Sequence, residues 1–393
     1  MINKQMFNSV LFPADRGGCA HYRMLFPSWA IQTISKTVRV IESTKLIGDP
    51  NFFKDIRMVR LQRQVNDAQC QYFLKFLKPL ADQFGIYIVY EIDDVITHDE
   101  IPPYNIGRKA YDNKQFFDNV KNMLNAADIV TVTTERLKQF YIETYDIPPN
   151  KFLVIPNYLP RWWVGEAYNL DERVQSFKEN IKKPKIVFPM SSSHFDIGNI
   201  NDNQDDFTQM CEFIRENYKN YDFSIIGHKP KLIEDLVHDG NVNVIPGSDI
   251  LNYPRELVMR NFNAIIAPLQ DNVFNNCKSA IKLHEGWALG YPVIAQDLEC
   301  YNQHTDALFK DNNQLQNQLD KLFTDHKKYR KVVKDNRFKI DYGYKQHQNG
   351  LWVEKNISKW YQLFTMPQRT IKIDLEKFQP KVENNVINLD LKV

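Results

Sequence analysis

Residues 274–297 read FNNCKSAIKLHEGWALGYPVIAQD, a run with helical spacing that stops at Gly290 and Pro292 and passes into a short apolar stretch. At about 100° per residue, Lys278, Lys282 and Glu285 share one stripe of that helix. Cys277, Ile281, His284 and Ala288 form the adjacent face, and Ala280, Leu283 and Trp287 a third. A helix apolar on two faces packs between neighbours, so its charged stripe is not simply an outer solvated surface. Two lysines four residues apart also repel, and something anionic would resolve that. The preceding NAIIAPL (263–269) reads as a parallel strand, so a helix beginning near Asn275 starts at the carboxyl edge of a sheet, where doubly wound folds bind ligands. Its first N–H groups and dipole suit a phosphate, Lys278 and Lys282 add full charges, and Glu285 can accept from ribose hydroxyls. Read alone, the same residues also make a Lys282–Glu285 surface pair with a spare lysine.

Outward from that stretch, short apolar runs alternate with longer helical patterns, the signature of βαβ units and parallel sheets. In the first half the strand runs are NSVLFPA, TVRVIES, IRMVRLQ, IYIVYEIDD, DIVTVTT and KFLVIPN, with helical stretches at 67–84, 109–126 and 135–144. The second half repeats the scheme with KIVFPM, DFSIIG, VNVIPG, NAIIAPL and PVIAQD. The alternation breaks over 158–184, where YLPRWW is followed by a polar stretch and KKPK, which places an inter-domain boundary near residue 170. The sequence thus predicts an α/β protein of two doubly wound domains, 1–170 and 171–350. A helix over 351–364 packs back on the first domain, and 365–393 forms a tail.

The bulk composition agrees with a globular pair of domains: 393 residues, 43% hydrophobic and 25% charged, with a net charge of +2. That balance neither demands nor excludes a polyanionic partner. The five cysteines are scattered, with no C-x-x-C pair, which argues against a disulfide framework or a zinc site, and no metal is expected. No apolar run reaches signal-peptide or membrane-spanning length, so the expectation is a soluble cytoplasmic protein without membrane insertion.

Three other constellations carry chemistry. ADRGGCAHYR (14–23) follows the first strand, so Gly17 and Gly18 would let backbone approach a ligand with Arg16 facing an anion; an ordinary βα turn is the alternative. EIDD (91–94) puts Asp93 and Asp94 at a strand's carboxyl end, as a general base for a hydroxyl or as helix caps. It is not a D-x-D metal motif. SSSHFD (191–196) offers Ser192, Ser193 and His194 beyond the first strand of the second domain, where hydroxyls and an imidazole can stabilise a developing negative charge; a structural histidine in a βα loop is the alternative, and His228 in IIGHKP is a weaker signal. The basic run HKKYRKVVKDNRFK (326–339) reads as a solvated helix face or a phosphate-tracking patch.

APLQDNVFNNCKSAIKLHEGWALGYPVIA (267–295) resembles the donor-binding segment of GT-B glycosyltransferases, particularly phage and bacterial ones with K-S-x-x-K, a following glutamate and G-x-P-V. YEIDDVITHDEIPPYN, AADIVTVTTERLKQFY and FLVIPNYLPRWW look like the first domain of that group. VFPMSSSHFD looks like the opening of its second domain, and VNVIPGSDILNYPREL is similar to the strand and loop that touch the nucleotide base. The likeness runs in order from residue 9 to about 364. It implies two Rossmann-like domains facing a central cleft and a nucleotide-sugar co-substrate, with a UDP-sugar favoured. No further cofactor is required. The donor would be held by Arg16, Gly17, Gly18, Ser192, Ser193, His194, Gly227, His228, Pro246, Gly247, Lys278, Ser279, Lys282 and Glu285, with Asp93 or Asp94 catalytic.

The sequence departs from that pattern at Cys277, where many retaining members carry the first of two glutamates, which leaves the anomeric outcome open. The K-S-x-x-K style and the Asn/Lys/Ile-rich usage resemble the T-even-like phage group that glycosylates hydroxymethylcytosine with glucose or arabinose. The favoured acceptor is therefore double-stranded DNA with hydroxymethylated bases. A cell-surface polysaccharide or glycolipid enzyme and a catalytically silent nucleotide-sugar or DNA-binding module stay open as alternatives.

Overall fold

A computed structural model describes residues 6–111, 114–164, 170–196, 204–345 and 347–365. The tail expected over 365–393 lies, from residue 366, outside the described residues. Two compact units divide the chain: one comprises 1–93, 113–155 and 357–393, the other 94–112 and 156–356.

The first unit is built on a six-stranded sheet of β1 (Phe7–Phe12), β2 (Val38–Glu42), β3 (Ile56–Gln62), β4 (Tyr87–Glu91), β5 (Ile129–Val132) and β6 (Phe152–Val154). Its order is β2-β1-β3-β4-β5-β6 and every pairing is parallel. Strands covered on both faces need apolar residues at consecutive positions rather than alternate ones, and Met58, Val59 and Leu61 of β3 are all buried. The helical stretch at 67–84 starts with a capping box of Asn66 and Gln69 and ends at Gly85, whose φ of 71° is left-handed. Beneath the sheet, Arg23 Nε donates to Glu91 Oε1 at 2.6 Å with neither side chain exposed. The Trp360 ring covers the guanidinium groups of Arg23 and Arg60 at 4.9 and 4.6 Å.

The second unit carries β7 (Lys185–Pro189), β8 (Asp222–Gly227), β9 (Val242–Pro246), β10 (Ala264–Ala267), β11 (Val293–Gln296) and β12 (Leu308–Phe309). All are parallel, in the order β12-β11-β10-β7-β8-β9. Its core packs Phe188, Phe207, Phe223, Ile225, Leu315 and Tyr329 together. The Ile281–Ala288 helix lies tight against β10 and β11 because Gly286 has no side chain: a Cβ there would stand 2.4 Å from Val293 Cγ2.

Two boundaries differ from the sequence reading. The divide falls at Ile155–Pro156 instead of near residue 170, because YLPRWW bonds within the second unit. Leu159 N donates to Leu351 O at 2.9 Å, Val353 N to Leu159 O at 2.8 Å, and Trp163 Nε1 to Ile250 O at 2.9 Å. That isolated pairing of Leu159 with Trp352 keeps residues 351–353 out of a helix, and the Asn356 side chain donates to Gly350 O and Trp352 O. The helix expected over 351–364 therefore begins only at Ile357, and it belongs to the first unit.

Candidate functional site

In each sheet the strand order reverses beside the strand that comes first in the chain, between β1 and β3 and between β7 and β10. The segments leaving the carboxyl ends of those strands flank the point where such folds hold ligands.

In the second unit, the turn Ser192–His194 follows β7, and His194 Nδ1 lies 2.7 Å from Asp206 Oδ2. The other oxygen of Asp206 accepts from the Tyr104 hydroxyl at 2.7 Å, Gln270 N at 2.8 Å and Asn275 Nδ2 at 2.8 Å. Burial alone would raise this carboxyl, but the bonds from His194, Gln270 N and Tyr104 outweigh it and hold it below its ordinary range. An ionised carboxylate only accepts, so Nδ1 of His194 is the protonated nitrogen and Nε2 carries the lone pair of the neutral ring. Burial, opposed by Asp206 and reinforced by Lys278 and Lys282, keeps the His194 imidazole below its usual pKa and hence neutral at neutral pH.

The segment after β10 does not form the single helix expected from Asn275. It makes one turn, Val273–Asn276, capped by the Asn272 side chain accepting from Asn275 N at 2.8 Å. The chain then leaves helical geometry over 277–280 and starts again as Ile281–Ala288. Lys278 therefore sits in a connection rather than on a shared stripe with Lys282. Its Nζ is 3.6 Å from Asp94 Oδ2 and 4.3 Å from the Phe274 ring centre. Lys282 lies in the first turn of the second helix, whose N-cap residue Ala280 supplies no side-chain acceptor. Its Nζ donates to Glu285 Oε2 at 3.2 Å, with Glu285 buried and Lys282 half-buried. Burial, with Glu285 adding, pushes the neighbouring Tyr253 hydroxyl far above its ordinary pKa. Ser279 Oγ accepts from Asn157 Nδ2 at 2.9 Å. Cys277, at the position of the missing glutamate, is wholly buried.

The remaining second-unit candidates are held for other reasons. Gly227 closes β8 with φ 121°, where a Cβ would stand 1.9 Å from Met190 O, so the β7 and β8 ends can lie side by side only with glycine there. The His228 ring packs 5.5 Å from Phe195. Pro246 and Gly247 are exposed at the end of β9, with open space beside Gly247.

In the first unit, the turn after β1 is closed by Gly17 N donating to Asp15 Oδ1 at 2.7 Å, with Arg16 exposed and Gly18 opening the next helical turn. Arg63, just past β3, bonds Asp15 Oδ2 at 2.8 Å and faces Asp93 Oδ1 at 3.2 Å. Arg63 also has a left-handed φ of 45°, a strain that clusters at functional sites. Asp93, with 6% of its side chain exposed, is thus an ion-paired carboxylate of this unit. Burial first, then Asp93, raises the Cys19 thiol well above its usual pKa, so it is no nucleophile.

The geometry thus gathers Asp94, His194, Lys278, Ser279, Lys282 and Glu285 in the second unit, and Asp93 with Arg16, Gly17 and Gly18 in the first. Sequence reasoning missed Asp206, Tyr104, Asn157 and Arg63. Asp206 stands in a polar run without a pattern of its own, and Asp205 beside it accepts from Phe207 N at 2.9 Å just ahead of the Thr208–Asn217 helix.

Two parallel six-stranded sheets with this order have the fold of the GT-B glycosyltransferases. No family model matches the chain, and no curated protein matches it by sequence. Solved structures do match. The chain is similar to a glycosyltransferase from Rickettsia africae at 14% identity, covering 92% of this chain and 98% of that one with a TM-score of 0.57. It is similar to Anabaena HepE in complex with UDP and glucose at 10% identity, 92% and 100% coverage and a TM-score of 0.60. It is also similar to an alpha-glucosyltransferase in complex with UDP-glucose and DNA containing an abasic site, at 11% identity, 92% and 99% coverage and a TM-score of 0.58. Identities this low bear on the fold alone. Among the described residues no helix is long and apolar enough to cross a membrane, and the cysteines form no disulfide.

Proposed function

We propose that the protein is a glycosyltransferase that moves a sugar from a UDP-sugar to a hydroxyl acceptor, with a 5-hydroxymethylated pyrimidine of double-stranded DNA as the acceptor it serves. The observation that carries the donor half is the convergence of Lys278, Lys282 and a neutral His194 at the β7/β10 edge of the second sheet. When the bond between the sugar's anomeric carbon and the diphosphate oxygen breaks, its electron pair goes to the diphosphate. Two ammonium groups and the uncapped first turn of the Ile281–Ala288 helix would stabilise that charge without a metal. Glu285, buried and already an acceptor from Lys282, is suited to ribose hydroxyls, and Pro246 and Gly247 to the edge of the base. The acceptor oxygen bonds to the anomeric carbon and its proton passes to a carboxylate. Asp94 suits that role better than Asp93, because 24% of its side chain is exposed against 6%.

The DNA half is supported by one structural neighbour, the alpha-glucosyltransferase whose complex contains UDP-glucose and DNA. The basic helix His326–Tyr342 adds exposed Lys327, Lys328, Lys331 and Lys334, and Trp162 offers an exposed ring of the kind that stacks on an extruded base. The test incubates the purified protein with a panel of nucleotide-sugars and either hydroxymethylated or plain DNA, then digests to nucleosides for mass spectrometry. A sugar mass on the hydroxymethylated nucleoside alone is the expected result. Donor hydrolysis with both DNAs left untouched would remove DNA as the acceptor, and transfer to glycan or lipid acceptors added to the same assay would replace it with a cell-surface substrate. A panel with no turnover at all would leave a binding module.

A further inference from the structure

Away from the Lys278–Lys282 edge, the second unit gathers three histidines that the proposed transfer chemistry does not use. His284 projects from the Ile281–Ala288 helix, His304 follows the turn at Glu299–Asn302, and His347 closes a tight turn with Tyr344, whose N donates to His347 O at 3.2 Å while His347 N donates to Tyr344 O at 2.8 Å. One ring nitrogen from each lies within 4.8 Å of the others. His284 and His347 are 3% and 5% exposed. The Tyr344 hydroxyl stands among them, 2.9 Å from His284 Nε2 and 2.6 Å from His304 Nδ1. His284 Nδ1 is buried and makes no hydrogen bond among the described residues.

We propose that His284, His304 and His347 form a binding site for a single divalent cation of the zinc class, with the Tyr344 oxygen or a water as the fourth ligand. Three imidazoles share one buried place around the Tyr344 hydroxyl, and the buried Nδ1 of His284 keeps a lone pair or proton that no hydrogen bond takes up among the described residues. A tetrahedral set with Zn–N near 2.1 Å has nitrogens about 3.4 Å apart, a contraction within reach of side-chain torsions from 4.8 Å. All-nitrogen sets with an oxygen suit zinc, copper, nickel or cobalt over calcium or magnesium. Lys339 and Lys345 oppose a cation here; Asp306 and Asp335 beside Lys339 offset part of that field. The expectation of no metal rested on cysteine spacing, and ligands at 284, 304 and 347 follow no short spacing rule. The cation would tie the helix bearing Lys282 and Glu285 to two later segments of the same unit, a structural and not a catalytic role.

The test uses full-length protein without a histidine tag, stripped with chelator and titrated with Zn²⁺ against a chromophoric competitor, and in parallel with Co²⁺. One saturable equivalent, with the visible ligand-field absorption of four-coordinate Co²⁺ and an upward shift in Tm on adding Zn²⁺, is expected. His304→Ala, the more exposed position, and His347→Ala should each weaken binding at least a hundredfold with an unchanged far-UV spectrum. No saturable equivalent in the unmodified chain, or binding in both variants as strong as in the unmodified chain, overturns the site. Should a variant fail to fold, the Co²⁺ spectrum of the unmodified chain decides alone, and its absence counts against the site.

Discussion

His194 Nδ1 and Asp206 Oδ2 stand 2.7 Å apart, and the remaining oxygen of that carboxylate takes three further donors. This one buried charge therefore fixes both the tautomer of His194 after β7 and the start of the segment after β10 that leads to Lys278.

Asp206→Asn removes the charge and turns one acceptor oxygen into an amide that faces a donor. Losing several charge-assisted bonds in a buried place costs about 2–4 kcal/mol, whereas Tyr104→Phe, which deletes one of the four bonds to that carboxylate, costs about 1.5 kcal/mol. Urea denaturation of both variants reads the difference. Equal and small losses would mean that Asp206 is not the organising charge described here.

Lys282→Ala should lower kcat/KM for the donor by well over tenfold, which corresponds to roughly 1.4 kcal/mol or more of lost transition-state stabilisation. The Glu285 carboxylate it leaves behind is buried, so circular dichroism and Tm must accompany the kinetics. Glu285→Gln, which keeps the shape, separates the two effects: it should raise KM with a smaller change in kcat if the carboxylate holds ribose. Near wild-type kinetics in a folded Lys282→Ala variant would remove this edge from the donor site.

Much of this was legible because strands covered on both faces announce themselves as unbroken apolar runs. Each of the eleven strand runs read from the sequence corresponds to one of β1–β11, while the two-residue β12 is too short to leave a pattern. The break at 277–280 was not legible. Periodicity continues through it, and only the Asn272 cap and the burial of Cys277 and Ala280 show that the chain turns there. Arg63 and Asp206 were invisible for a different reason: each acts through partners brought together by strand order, 48 residues away for Asp15 and 69 for Asn275.

Glu91 makes the same point for stability. It sits in a strand run, yet it is wholly buried against Arg23, with Thr131 Oγ1 also donating to it. Removing one partner of a buried pair leaves an uncompensated charge, so Glu91→Ala should cost about 3–5 kcal/mol. A change in urea-unfolding free energy below about 1 kcal/mol would show that solvent reaches Arg23.

Stability should also fall on mild acidification, and the histidines set the window. His194, His284 and His304 all have folded pKa values below their ordinary 6.5, chiefly through burial. Between 6.5 and those lower values the unfolded chain binds protons that the folded chain refuses, so stability is intact above the unfolded pKa and drops as pH falls below it. For His304, whose folded pKa lies at about 4, the loss accumulates from pH 6.5 down to about 4 and reaches up to roughly 3 kcal/mol at the end of that range. Asp206, held low, adds its own loss only at more acid pH, below its unfolded value of 3.8. Chelator-treated protein should thus lose Tm steadily from pH 7 to pH 5, and His304→Asn, which cannot take up a proton, should flatten part of that slope. Zn²⁺ bound to the three histidines would steepen it, because protons then compete with the metal as well. A Tm that holds constant across this interval in the unmodified chain would mean that these rings titrate as freely when folded as when unfolded.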